Sequence, residues 1–290
     1  GNERRNDVSF KSIRDQAVAV RLLHNVIERR RVPNGLLFWG PGGVGKHLTA
    51  LEFAKAVNCT EGGADACDAC LSCRKVASGN HPDVKMVVPA GKARIINVET
   101  IDFINELTSY RPFEGAWRVV LILEADRMNL SAQNHFLKTL EEPPSNTLFI
   151  LVTEYPRILL PTIRSRCQQV RFGSLRRETV TELLLQTHDL PKKIAEAIAA
   201  ISQGQMSRAI DLVETEKRNV VLDITRRLAG GEDPLSLSEE FVKHLRAQEE
   251  AIKAAVKAEL DTEEVNGSQN EDGADQKKEQ LALAEALVRR

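Results

Sequence analysis

Three groups of residues in this chain have types and spacings that could do chemistry. The first is Gly40-Pro41-Gly42-Gly43-Val44-Gly45-Lys46-His47. Glycines in this pattern let successive backbone N–H groups turn inward around a polyphosphate, and Lys46 would place a point charge on its terminal phosphates. The next position ordinarily supplies a hydroxyl to Mg²⁺. Here it is His47, whose imidazole is a poor ligand for a hard cation that prefers oxygen. The expectation is a loop that holds ATP or ADP, grips Mg²⁺ badly and hydrolyses slowly; a glycine-rich turn without a ligand is the alternative.

The second group ends the run Trp117-Arg118-Val119-Val120-Leu121-Ile122-Leu123-Glu124-Ala125-Asp126. In ATPases with such a loop, a buried strand delivers an aspartate that holds Mg²⁺ through water, next to a glutamate that orients the attacking water. Leu123 stands at the aspartate position and Glu124 at the glutamate position. A water-polarising carboxylate is thus left without its metal. Losing even one charge-stabilising contact in such sites costs about 10²-fold or more in rate, so intrinsic turnover is expected to be negligible. Strand core followed by a solvated carboxylate would account for the same residues.

The third group is Cys59, Cys67, Cys70 and Cys73, spaced C-x7-C-x2-C-x2-C. Four thiolates with two tight gaps suit tetrahedral Zn²⁺ in a closed structural site, and Thr60 to Asp68 is too polar and glycine-rich to order itself by core burial. Disulfides would need an oxidising compartment, whereas the N-terminus from Gly1 to Arg5 is charged and shows no apolar signal segment. Four unconnected buried thiols are the remaining alternative.

The elements that must position these groups follow from hydrophobic pattern. Gly35 to Trp39 is an apolar run ending at the phosphate loop, and Leu48 to Val57 reads as the helix leaving it, which is the setting the motif requires. Val18, Leu22 and Val26 lie at helical spacing in the segment Val8 to Arg31. Strands are expected at Asp83 to Val88, Arg94 to Val98, near Val119 and at Leu148 to Thr153, with a helix over Val98 to Leu107. A helix after Asn129-Leu130-Ser131 must stop at Pro143-Pro144, because proline lacks the N–H and clashes with the preceding turn. Strands alternating with helices imply a parallel sheet wound on both sides, with the phosphate loop at its switch point. After Phe172 only helices are expected: Glu178 to Gln186, Lys192 to Ser202, Ser207 to Glu214, then Val220 to Leu228 and Leu237 to Leu260. Asp261 to Gln280 is polar and acidic and is expected to be disordered.

Composition narrows the partners. Lysine plus arginine total 40 against 41 aspartate plus glutamate among 290 residues, a formal charge of -1, so no overall field draws the isolated chain to nucleic acid. Aromatic residues are 4% of the chain and form no basic, stacking platform for single strands. No apolar run approaches the length that crosses a bilayer, so no membrane partner is expected.

The phosphate loop, the four-cysteine insertion, the segment Ala132 to Pro144 containing LKTLEEPP, and Pro161-Thr162-Ile163-Arg164-Ser165-Arg166-Cys167 together resemble the bacterial clamp-loader subunits of DNA polymerase III, which are AAA+ proteins. The resemblance covers roughly residues 8 to 213. Its damaged metal positions, His47 and Leu123, favour the delta-prime type over the gamma/tau ATPase motor, as does Arg208 standing four residues after Gly204. The resemblance implies a zinc-bearing (59–73) AAA+ nucleotide-binding domain over 1–171, a helical lid over 172–214 and a partial helical collar over 215–290, disordered near 261–280. It also implies a nucleotide-sensing role for Thr153 and Arg208, although a strand-end threonine and a surface arginine are both ordinary. Arg166 would be an arginine finger offered across an interface to a neighbouring subunit's phosphates, unless Arg164, Arg166 and Arg171 simply solvate a loop. Such fingers are worth about 10³ to 10⁵ in rate. Expected partners are gamma/tau and delta subunits in a hetero-oligomeric ring, the sliding clamp, and primed DNA reached through the assembly. The chain itself would contribute little or no ATPase to a complex whose overall activity is DNA-directed DNA polymerisation in the cytoplasm, at the nucleoid-associated replisome. The alternative is a gamma/tau-like motor. Gly1 in place of methionine and the end at Arg290 suggest a processed or excerpted chain.

Overall fold

Residues 10–90, 94–214, 223–224, 227–228 and 230–243 are described by a computed structural model. Five strands, Gly35–Trp39 (β1), Val84–Val87 (β2), Arg118–Ile122 (β3), Thr147–Thr153 (β4) and Gln168–Arg171 (β5), form one parallel sheet in the order β2-β3-β4-β1-β5. Every residue of β3 and β4 is buried, as expected of strands covered on both faces, and only Arg118, Thr147 and Thr153 at their ends interrupt the apolar runs. The edge strands are less apolar: only Val87 of β2 and Val170 of β5 are buried.

Helices Ala17–Glu28 (α1), Lys46–Val57 (α2), Leu71–Ala77 (α3), Val98–Thr108 (α4), Leu130–Glu141 (α5) and Pro161–Arg166 (α6) connect and flank the strands. One face of the sheet packs Leu37, Val120, Phe149 and Leu151 against Ile101, Ile104, Phe136 and Leu140, with Phe136 and Phe149 edge to face at 5.2 Å. Side-chain caps fix the starts of two of these helices: Asn97 accepts from the Thr100 N–H at 3.0 Å and Asn129 from the Ala132 N–H at 2.8 Å. α5 ends at Glu141, ahead of Pro143-Pro144 as the proline argument requires. Helices Arg177–Thr187 (α7), Lys192–Ile201 (α8) and Met206–Glu214 (α9) follow, matching the expected all-helical segment.

Several expectations need correction. Arg94 to Val98 is no strand: Ala90 and Ile95 make an isolated antiparallel bridge, Ile96 makes a single bridge to Met128, and α4 already starts at Val98. The buried stripe of α1 is Ala19, Leu23 and Val26; of the expected Val18, Leu22 and Val26 only Val26 is buried, and Val18 is 70% exposed, because the residues that follow Val18 and Leu22 take the core-facing positions. β5, reading Gln-Gln-Val-Arg, and the short helices α3 and α6 carry little periodicity and go unpredicted.

The chain divides into two units, Gly1–Pro89 with Ile96–Asp211, and Ala90–Ile95 with Leu212–Arg290. The sheet and the residues up to Asp211 of α9 lie in the first. In the second, a helix runs over 234–243, capped by Asp233, and Arg227 bonds Glu240 with both terminal nitrogens at 3.1 and 3.0 Å. The expected disordered stretch Asp261 to Gln280, and most of the expected helices Val220 to Leu228 and Leu237 to Leu260, lie outside the described residues.

Candidate nucleotide and metal sites

The phosphate loop leaves the carboxyl end of β1, between β4 and β5, where a doubly wound sheet opens its ligand crevice. Gly43 has φ +66°, and a Cβ there would stand 2.1 Å from the Ser207 backbone nitrogen, so glycine is needed both for its dihedral and for the approach of α9. The Met206 N–H donates to the Gly43 carbonyl at 3.3 Å, which places the start of α9 against the loop; Arg208, two residues on, is exposed. Gln16 braces the same region: its amide donates to Gly173 O at 2.8 Å and accepts from Gly173 N at 3.0 Å.

Lys46 is buried and donates to the carbonyls of Gly40 at 2.7 Å and Pro41 at 2.5 Å. Burial draws its pKa down, against the opposing fields of Glu154 and Asp126. His47 sits exposed on the first turn of α2, yet the protein around its ring still disfavours charge and lowers its pKa. The next hydroxyl along α2 cannot replace the missing one. Thr49 is fully buried and its hydroxyl donates to Gly45 O at 2.8 Å.

At the end of β3, Glu124 adopts φ +47° and lies 3.6 Å from Arg127 of the following turn. Leu123 is half-buried and donates its N–H to Val87 O. The carboxylates turned toward Lys46 are two that sequence reasoning gave no role. Asp126 accepts from the hydroxyl of Thr153, which is buried at the end of β4 and itself accepts from the Tyr155 N–H at 2.9 Å. Glu154 is the residue after Thr153. Acidic residues within four positions of the ends of β3 and β4 were the available signal.

Arg166 is brought nowhere near this crevice. It ends α6, just before the amino end of β5, where Gln168 pairs with Leu36, whereas the loop begins beyond Trp39. The intervening strand alone spans roughly 13 Å at about 3.3 Å per residue. The guanidinium, 36% exposed, contacts Glu141 Oε1 at 2.6 Å and Thr162 O at 3.2 Å.

The four cysteines converge. Their sulfurs all lie within 4.8 Å of one another, with Cys67 and Cys73 at 4.0 Å, close to the roughly 3.8 Å that Zn–S bonds of about 2.3 Å impose on a tetrahedron. Backbone N–H groups of Cys70 and Cys73 point at the sulfurs of Cys67 and Cys70, at 3.2 and 3.4 Å. Burial and then the neighbouring Cys70 push the Cys73 thiol far up, while at Cys70 burial is outweighed by hydrogen bonds from Thr60 and Cys73, which bring it down to about 6. Four sulfurs crowded this closely cannot all ionise alone. A dication among them is the donor set's natural complement.

Cys70 caps the start of α3 and Cys73 lies in its first turn, and a charged cluster binds the module to α2. Lys55 Nζ lies 2.5 Å from Asp68 and 2.7 Å from Glu52, with Lys55 and Glu52 both about 1% exposed. On the other side Lys75 of α3 pairs with Glu114 at 2.6 Å, in a loop whose N–H groups at Phe113, Glu114 and Gly115 all bond Asp83.

The sequence profile of the family described as "DNA polymerase III, delta subunit" matches residues 15–176. The Bacillus subtilis DNA polymerase III subunit delta' is 35% identical over 211 residues, 72% of this chain and 63% of that protein. The tau subunit of the same organism is 30% identical over 211 residues, 71% of this chain and 37% of tau. The match thus spans under two thirds of each relative's length. Among solved structures, a gamma subunit-related protein of Thermotoga maritima is 18% identical with a TM-score of 0.43, covering 95% of this chain and 99% of that one. With the profile taking in more than half of the residues and a 35% identical relative aligned over 72% of them, the chain belongs to the DNA polymerase III delta/delta' subunit family.

Proposed function

We propose that the protein is a delta-prime-like subunit of the DNA polymerase III clamp loader, a non-hydrolysing or weakly hydrolysing AAA+ module that lends Arg166 to a neighbouring ATPase subunit while the sliding clamp is loaded on primed DNA. The observation that carries this reading is the placement of Arg166 at the end of the sheet opposite its own phosphate loop. A guanidinium there is out of reach of its own loop, which supports a role toward a nucleotide held by another molecule. Its pairing with Glu141 is solvent-exposed, 36% and 50%, and such pairs are worth about 0–1 kcal/mol, so the arginine is held in place yet released cheaply to a phosphate. His47 and Leu123 support a weak grip on Mg²⁺, and Thr49, fully buried, offers no accessible hydroxyl in their place. The cysteine set would hold structural Zn²⁺, and Lys46, Thr153 and Arg208 would meet the nucleotide. Gamma/tau and delta subunits are the ring neighbours in this reading.

The test uses the chain alone and then with a purified gamma/tau motor, a delta subunit, clamp and primed DNA. Alone, it should show ATPase at background. Arg166→Ala should fold normally and lower the ATPase of the assembly by about 10³-fold at the one site it serves. Unchanged turnover would refute the finger. A second reading, a gamma/tau-like motor, draws on Asp126 and Glu154 as substitute oxygens for Mg²⁺; brisk Mg²⁺-dependent hydrolysis by the purified chain would favour it.

A further inference from the structure

Glu154 follows Thr153 at the carboxyl end of β4, and its carboxylate lies over the phosphate loop. A Cβ on Gly42 would stand 2.7 Å from Glu154 Oε1 and 3.2 Å from Oε2, so the carboxylate rests directly on a backbone position that has no side chain to hold it off. Gly42 is buried beneath it. Glu154 and Asp126 are also the two carboxylates whose charge is felt at Lys46, the group that reaches the β- and γ-phosphates in loops of this pattern. Where a terminal phosphate would gather at Lys46, the chain therefore also presents two anions. Asp126 is occupied as the acceptor of Thr153; Glu154 is exposed and makes no such bond.

A triphosphate brings about one more negative charge to this point than a diphosphate. Metal-bound nucleotide would relieve the repulsion, but the positions that ordinarily hold Mg²⁺ are His47 and Leu123. We infer that Glu154 sets the nucleotide preference of the loop: its carboxylate turns away the γ-phosphate, so that the site takes a nucleoside diphosphate over a triphosphate. This rests on the reading of Gly40 to Lys46 as a nucleotide site. A resident diphosphate suits a subunit that serves its neighbour's hydrolysis, because its own site would not cycle.

The experiment is calorimetric titration of the full chain, its Glu154→Gln variant and its Lys46→Ala variant with ADP and with ATP, in EDTA at low and high salt, then with Mg²⁺. The unmodified chain should bind ADP about tenfold more tightly than ATP in EDTA, as expected for one partly screened charge pair at close range. Glu154→Gln should tighten ATP by about five- to tenfold and move ADP less than twofold, with the gap narrowing at high salt. A variant that leaves the ADP/ATP ratio where it was, or that weakens ATP in Mg²⁺ because the carboxylate was a metal ligand, overturns the inference. Lys46→Ala should abolish binding of both nucleotides. Should Lys46→Ala bind them as well as the unmodified chain, or should no protein bind either, the nucleotide-site reading itself fails.

Discussion

Lys55 is the residue whose removal tests how the cysteine module is coupled to the phosphate loop. Its ammonium is buried between Glu52 and Asp68, and Glu52 has neither oxygen in a well-aligned hydrogen bond although the ammonium lies 2.7 Å away. Burial is the main reason the Glu52 carboxyl is pushed up from 4.5 to about 7, against the pull of Lys55. A pKa raised on folding gives stability that is complete below the unfolded value and is lost as pH rises through the folded one. Between pH 4.5 and 7, Glu52 thus withdraws about 3 kcal/mol, at roughly 1.4 kcal/mol per unit. Lys55→Ala leaves two carboxylates facing each other in a dry site, and breaking a buried pair this way costs about 3–5 kcal/mol. At pH 8 the variant should be destabilised by that amount. At pH 5.5, where Glu52 is mostly protonated in both proteins, the deficit should shrink to about 2 kcal/mol or less. Glu52→Gln should be near neutral or stabilising at pH 8. Urea unfolding followed by the fluorescence of Trp39 and Trp117, at both pH values, measures all three proteins. A Lys55→Ala deficit under about 1 kcal/mol at pH 8, or one that is the same at pH 5.5, would refute the buried-charge reasoning. Because α2 begins at Lys46, the same variant should also weaken nucleotide binding in proportion to the loosening of that helix.

Metal analysis of the purified protein should find one Zn²⁺ per chain, and Cys73→Ser should lose it and expose the module to protease between α2 and α3; a metal-free protein with an equally resistant module would remove the structural role of the cysteines. Gly43→Ala meets both a positive φ and the Ser207 nitrogen at 2.1 Å. It should cost about 1–3 kcal/mol and push α9 off the loop, seen as faster amide exchange at Ser207 and Arg208 with the sheet amides unchanged.

What the sequence disclosed and what it hid follow one physical line. β1, β3 and β4 are apolar apart from Arg118, Thr147 and Thr153 at strand ends because both faces are covered, and that leaves a pattern visible in any window. β5 has one neighbour and one buried residue, Val170, so its four residues look like loop. The convergence of the four cysteines was legible because their spacing is the one a tetrahedral thiolate site would require. The charged cluster that anchors the set was not, since Glu52, Lys55 and Asp68 read as ordinary surface residues until folding buries the first two.

The same distinction governs the crevice. Gly40 to Lys46 act through consecutive backbone groups, so their order is their chemistry. Glu154 acts only because β4 lies beside β1 with Thr153 opposite Trp39, a pairing between residues more than a hundred positions apart. Local sequence assigns Glu154 to a loop. The register sets its carboxylate against Gly42 of the loop, where the proposed choice between di- and triphosphate would be made, and the same register, carried through Gln168 beside Leu36, sends Arg166 to the far end of the sheet. A carboxylate over the phosphate loop and a guanidinium at the opposite end of the sheet are the two features on which the proposed division of labour, serving a neighbour's nucleotide and sparing its own, stands or falls.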